Sequence, residues 1–217
     1  NFSTSPSSVF PYRDDLFGQA FATSVFICEV DKNIVHREIL ERDGVSFRGR
    51  RAPDEKDREF LASTDNWFRP VQFANAPDGT LYILDMYREV IEHPASLPPL
   101  IKKHLDLTSG RDRGRIYRVV PDGYRQPPLP KLAGALTPVL VALLEHPNGC
   151  HRDTGARLLY ERQDKAAIEP LRKLATESLL PLARLHALHA LDGLAGLTEQ
   201  VLLPRLGDDH AGVREHA

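Results

Sequence analysis

Short runs of alternating apolar and polar residues fill the first half of the chain, and this period of two is typical of half-buried β-strands. Turn signals separate the runs, among them Asp43–Gly44 and Pro77–Asp78–Gly79, where glycine permits a positive φ. Strands are predicted at 24–30, 34–40, 45–48, 71–73, 81–84 and 115–120. Short strands joined by Asp–Gly turns predict an antiparallel meander, such as a propeller blade or a sandwich.

The period changes in the second half, where apolar residues recur every three or four positions and predict helices. Thr137 is expected to cap the first helix, with Pro138 at its first position, and Pro147–Asn148–Gly149 is expected to end it. Pro138, Pro170 and Pro204 each fall early in a predicted helix, which gives a repeat of roughly 30 residues. This pattern predicts an α-solenoid of short HEAT-like repeats.

A proline-rich stretch from Tyr124 to Pro130 lies between the two patterns and is typical of a stiff, extended linker. The predicted fold class is therefore α+β and multidomain. We expect antiparallel blades of an incomplete propeller at 1–123, a linker at 124–131, and truncated helical repeats at 132–217.

The predicted hairpin at 71–84 has a geometric consequence for the residues on either side of it. A hairpin returns the chain to its starting edge, so Arg69 before the first strand and Asp85 after the second lie at one end of the sheet. The long segment 86–113 returns to the next strand at the same end. The candidate site face consists of Asp65, Trp67, Arg69, Asp85, Tyr87, Arg88, His93, Arg111, Asp112 and Arg113.

Two interpretations of this face remain open at the level of sequence. Arginine forks suit a carboxylate, a phosphate or the carboxylates of a quinone, and an aspartate beside an arginine or histidine can form an acid–base unit. Alternatively, Arg69, Arg111 and Arg113 pair with Asp85 and Asp112 and thereby pin the long loop onto the sheet.

Composition and motif spacing argue against several classes of function for this chain. The 28 Lys and Arg residues are balanced by 30 Asp and Glu, a formal charge of −2, which argues against a general nucleic-acid binder. The longest uncharged apolar run, 136–144, is too short to span a bilayer. Cys28 and Cys150 belong to no paired-cysteine motif, and His186 and His189 lack a third ligand at metal spacing, so no metal site is predicted.

The chain resembles a known family in three segments, 60–71, 76–87 and 111–118. They look like the closing blades of the membrane-bound dehydrogenases of the Planctomycetes type. The propeller of that family is similar to the pyrroloquinoline-quinone (PQQ)-dependent glucose and sorbosone dehydrogenases, and HEAT repeats and a cytochrome-c-like haem domain follow it.

The resemblance implies that the chain is a piece of a longer, exported or periplasmic protein that oxidises a sugar or an alcohol. It implies PQQ with calcium and haem c in that parent, and it implies the remaining blades and the cytochrome-c-like domain as partners. No catalytic residue carries over, so the piece is expected to be inactive alone. The alternative is a non-catalytic scaffold in which Arg157, Arg162, Arg172, Arg184 and Arg214 line one solenoid face, unless they form capping pairs within the repeats.

Overall fold

The computed structural model describes residues 6–217 and has a mixed α+β architecture, with antiparallel sheets followed by a run of helices. The chain divides into two compact units between Arg125 and Gln126. This division falls inside the segment 124–131, most of which forms neither helix nor strand.

The first unit contains two antiparallel sheets. The larger sheet has the order β1-β2-β3-β4, and β5 also pairs with β3; its strands are β1 Pro6–Pro11, β2 Ser24–Glu29, β3 Ile34–Asp43, β4 Ser46–Arg51 and β5 Leu61–Ala62. The smaller sheet has the order β6-β7-β8; its strands are β6 Pro70–Asn75, β7 Leu81–Asp85 and β8 Arg115–Val119. Sequence periodicity missed β1, which is bounded by prolines, and β5, which is only two residues long.

An apolar cluster joins the two sheets. Phe26 on β2 lies 6.0 Å from Phe73 on β6, measured between ring centroids, and both side chains are buried. Leu81 and Ile83, two residues apart on β7, contribute fully buried side chains from the same face of that strand. The predicted positive φ in the β6–β7 turn is confirmed at Gly79, where φ is +82°.

The charged side chains of the ribbon formed by β3 and β4 are exposed to solvent. Arg48 pairs with Asp43 at 2.9 Å, and Arg50 pairs with Glu41. Arg48, Arg50 and the turn residue Val45 are all exposed. The ribbon therefore exposes both charged and apolar side chains, Phe47 among them.

The second unit contains six helices, and a one-turn helix, α1 Pro99–Lys102, lies in the loop of the first unit. The six are α2 Thr137–Ala142, α3 Gly149–Arg162, α4 Ile168–Glu177, α5 Pro181–Gly193, α6 Glu199–Leu202 and α7 Ala211–His216. Short 3₁₀ turns extend α2 and α6. The unit packs around fully buried leucines, including Leu140, Leu171 and Leu191. Within residues 6–217 no helix is long and apolar enough to cross a bilayer.

One of the two predicted boundaries of the first helix was wrong in detail. Leu136 is the N-cap residue of α2, so Thr137 is its first residue, and the Thr137 hydroxyl bonds the carboxylate of Asp164. The predicted stop at Pro147–Asn148–Gly149 is confirmed, because the 3₁₀ turn after α2 ends at Glu145. The Asn148 side chain accepts the His151 N–H and caps α3, which begins at Gly149.

The arginines of the helical unit pair within the unit. Arg184 holds both oxygens of Asp208, at 2.8 and 2.6 Å, and Arg157 pairs with Glu161 at 2.8 Å. Arg162 donates to the Ala135 and Ala133 carbonyls. Arg157 and Arg184 therefore form the expected capping pairs with Glu161 and Asp208, whereas Arg162 binds backbone carbonyls instead.

Candidate functional site

The β6–β7 hairpin places Asp85 at the end of its sheet, as the sequence predicted. Asp85 is the last residue of β7 and lies opposite Pro70, the first residue of β6. Its Oδ1 accepts the N–H groups of Arg69, at 2.8 Å, and Tyr87, at 2.9 Å. The Asp85 side chain is completely buried, so the carboxylate needs a full set of donors.

Arg115 is the cation that completes this set. Its Nε donates to Asp85 Oδ2 at 2.6 Å, and its Nη1 donates to Asp65 Oδ2 at 2.6 Å. The guanidinium also lies 4.3 Å from the centroid of the Tyr87 ring, a cation–π contact. One arginine therefore connects the loop before β6, the end of β7 and the start of β8.

These contacts shift the pKa values of Arg115 and Asp65. Burial opposes the charge on Arg115, but the Asp65 and Asp85 carboxylates outweigh it and raise the pKa of Arg115. In return the Arg115 hydrogen bond, helped by the N–H of Trp67, lowers the pKa of Asp65. Both carboxylates at this end are thereby matched to one permanent cation.

Arg69 lies in the cluster but points its guanidinium at the backbone. Its Nε donates to the Arg88 carbonyl at 2.9 Å, and its Nη2 donates to the Glu89 carbonyl at 2.6 Å. Its Nη1 reaches the Val30 carbonyl at 2.7 Å, just beyond β2 of the larger sheet. The buried Arg69 side chain therefore ties the loop after β7 to the other sheet.

Trp67 and Arg88 attach the far part of the long loop. Trp67 Nε1 donates to Ser109 Oγ at 3.0 Å, and Arg88 Nη1 donates to the Gly110 carbonyl. These bonds join the two ends of the segment 86–113 at the sheet edge. They agree with the interpretation in which polar residues pin this loop, although with different partners from those expected.

The remaining predicted site residues lie outside the buried part of the cluster. Arg113 and Asp112 form an exposed pair at 3.4 Å, with the Arg113 guanidinium 5.7 Å from the Tyr87 ring. His93 is exposed, and its Nδ1 accepts the Ala95 N–H at the start of a 3₁₀ turn. Arg111 is exposed, and its backbone N–H bonds the Thr108 carbonyl.

Sequence reasoning assigned the wrong partner to Asp85. We expected Arg69, Arg111 or Arg113, but the ion pair is with Arg115, the first residue of β8. The available signal was the strand register, because Asp85 and Arg115 are directly paired across β7 and β8. In this antiparallel pair, the first residue of β8 lies opposite the last residue of β7.

The arrangement of these side chains does not favour metal binding. Within residues 6–217 no group of three or more His, Cys, Asp or Glu side chains could hold a metal ion. Asp65 and Asp85 are the two carboxylates that could together bind a calcium ion. Both are paired with Arg115, so they do not fit a calcium ion in this arrangement. The cluster is suited to fixing backbone segments in place.

Comparison with known proteins gives one match. A family model described as a domain of unknown function, DUF7133, matches residues 1–123, more than half of the chain. No curated protein matches, and no solved structure matches.

Proposed function

Because this chain belongs to the DUF7133 family, a domain of unknown function, we propose a function from its geometry. The chain acts as a non-catalytic scaffold: closing blades of a β-propeller followed by HEAT-like repeats that present a surface to a protein partner. In this proposal it is part of a longer exported protein.

The proposal rests on the hydrogen bonds that Asp85 and Arg69, at the end of the smaller sheet, already make within the chain. A general base needs a carboxylate or imidazole that can take a proton from substrate. The two oxygens of Asp85 together already accept three hydrogen bonds, and the Arg69 guanidinium donates to carbonyl groups. Groups that bind one another and the backbone in this way stabilise a loop more readily than they bind a ligand.

The packing of each unit supports the architectural part of the proposal. The two antiparallel sheets meet through Phe26 and Phe73, as neighbouring propeller blades would. In the helical unit, Pro138, Pro170 and Pro204 each lie in the first turns of a helix or its 3₁₀ extension. Such recurrence is expected of stacked helical repeats.

We propose quinone-dependent sugar or alcohol oxidation only for the parent. PQQ and calcium would be held by blades outside this chain, since Arg115 already occupies the carboxylates of Asp65 and Asp85. The haem c of the parent would lie on a further domain. The scaffold proposal and the oxidation proposal both place the parent protein in the periplasm.

The test compares Asp85→Asn with the exposed control Asp112→Asn in the 217-residue chain. Urea unfolding should show a loss of about 3 kcal/mol for Asp85→Asn, because a buried ion pair is broken. Asp112→Asn should leave the urea midpoint almost unchanged, as expected of an exposed pair.

The same proteins are then titrated with PQQ in the presence of calcium, with quinone fluorescence as the readout. We expect no saturable binding by the wild-type chain and no sugar-dependent dye reduction. Saturable, calcium-dependent PQQ binding by the wild-type chain would contradict the scaffold proposal. Its loss in Asp85→Asn but not in Asp112→Asn would favour a quinone site on this face.

A further inference from the structure

Two histidines of the helical unit meet across neighbouring helices. His189 lies on α5 and His216 on α7, and a hydrogen bond of 3.0 Å joins His189 Nε2 and His216 Nδ1. The rings are nearly perpendicular, with an interplanar angle of 83°. Both side chains are exposed, so the pair is open to ions in solution.

The spacing of the two nitrogens fits a shared metal ion. Zinc binds imidazole nitrogen at about 2.0–2.1 Å, usually with tetrahedral geometry, which puts two such nitrogens roughly 3.3 Å apart. The observed 3.0 Å is short of this by a few tenths of an ångström. Small side-chain rotations of two exposed rings would supply the difference.

The scaffold beneath the pair holds the two helices in register. Leu188, next to His189, and Val213, one turn before His216, are buried in the apolar core of the unit. The backbones that carry the two rings are therefore fixed by packing. A site mounted on packed helices needs little reorganisation to bind its ion.

We propose that His189 and His216 form a two-histidine site for a divalent transition metal such as Zn²⁺. Water completes the coordination, because within the described residues no third His, Cys, Asp or Glu joins the pair. Imidazole favours zinc, copper and nickel over calcium and magnesium, which sets the class of ion. The bound ion links α5 to α7 and is independent of the proposed scaffold function.

Zinc titration by calorimetry on the reduced 217-residue chain tests the proposal. Wild type should bind one Zn²⁺, and EDTA should reverse the binding. His189→Asn and His216→Asn should each weaken binding at least about ten-fold, since even the loss of an outer-shell partner costs about 10–100-fold. The exposed control His104→Asn, in the β unit, should bind as wild type does.

A second variant separates metal ligation from packing. His189→Cys keeps a zinc ligand but not an imidazole, so it should retain zinc binding where His189→Asn loses it. Zinc should also raise the melting temperature of wild type and His189→Cys, but not that of His189→Asn. Absence of wild-type binding, or equal affinity in His189→Asn and His216→Asn, would overturn the proposal.

Discussion

Tyr87 and Gly110 both adopt left-handed backbone conformations, with φ of +55° and +80°, and they lie against each other at the sheet end. Tyr87 is a strained case, because a side chain disfavours this region, and its N–H is held by Asp85. A Cβ atom on Gly110 would lie 2.2 Å from the Tyr87 carbonyl oxygen. Only glycine fits at position 110.

We therefore predict that Gly110→Ala destabilises the chain more than its φ alone requires. A left-handed alanine costs about 1–2 kcal/mol, and the collision with the Tyr87 carbonyl adds to this. Gly123 is the matched control, since it has φ +73° but open space around it. Urea unfolding should show a clearly larger loss for Gly110→Ala than for Gly123→Ala; equal losses would exclude the close approach.

The sequence predicted which residues gather at the sheet end better than it predicted their bonds. The hairpin rule placed Arg69 beside Asp85, and the Arg69 N–H does bond the Asp85 carboxylate. It could not show that the Arg69 side chain turns to the Val30 carbonyl, because that contact joins sheets distant in sequence. His93 was placed in the cluster by proximity along the chain, yet it caps a local turn.

Among the secondary-structure elements, α5 and the segment before α7 are joined by Asp208. This buried carboxylate accepts two hydrogen bonds from Arg184, one from Arg205 at 3.0 Å and one from the His210 N–H. The Arg184 hydrogen bonds, against the opposing effect of burial, lower the pKa of Asp208 to about 2. The carboxylate thus stays charged well into acid.

This lowered pKa predicts an acid-sensitive contribution to stability. The folded pKa is below that of an unfolded aspartate, about 3.9, so the contribution is complete above about pH 5 and is lost as the pH falls towards 2. Melting followed by circular dichroism between pH 6 and pH 2 should show a shallower loss in Asp208→Asn than in wild type. The exposed control Asp209→Asn should keep the wild-type profile; a wild-type profile in Asp208→Asn would contradict the assignment.

For the whole molecule, the two units have separate apolar clusters, one around Phe26 and Leu81 and one around Leu140 and Leu171. We predict that residues 1–125 and 126–217, expressed separately, each unfold cooperatively in urea. A chain starting at residue 147 should lose cooperativity, because it lacks Leu140 and Leu144 from the second cluster. Non-cooperative unfolding of 126–217 would show that the helical unit needs the rest of the chain.

The change of hydrophobic period was enough to separate strands from helices, because each pattern extends over many residues. The strands at 24–29 and 81–85 and the helix at 137–142 were all predicted in outline in this way. Strand β5 was not, because two residues carry no period. Pairing between distant strands follows from tertiary packing, which local periodicity does not record.

The ribbon of β3 and β4 bears on the association of this chain with other molecules. Its outer strand offers free backbone groups, the usual starting point for fibre growth. An incoming strand from another molecule would have to strip hydration from Arg48 and Arg50 before gaining any backbone bond. Pairing of another chain with the outer strand is therefore opposed by the desolvation of these two arginines.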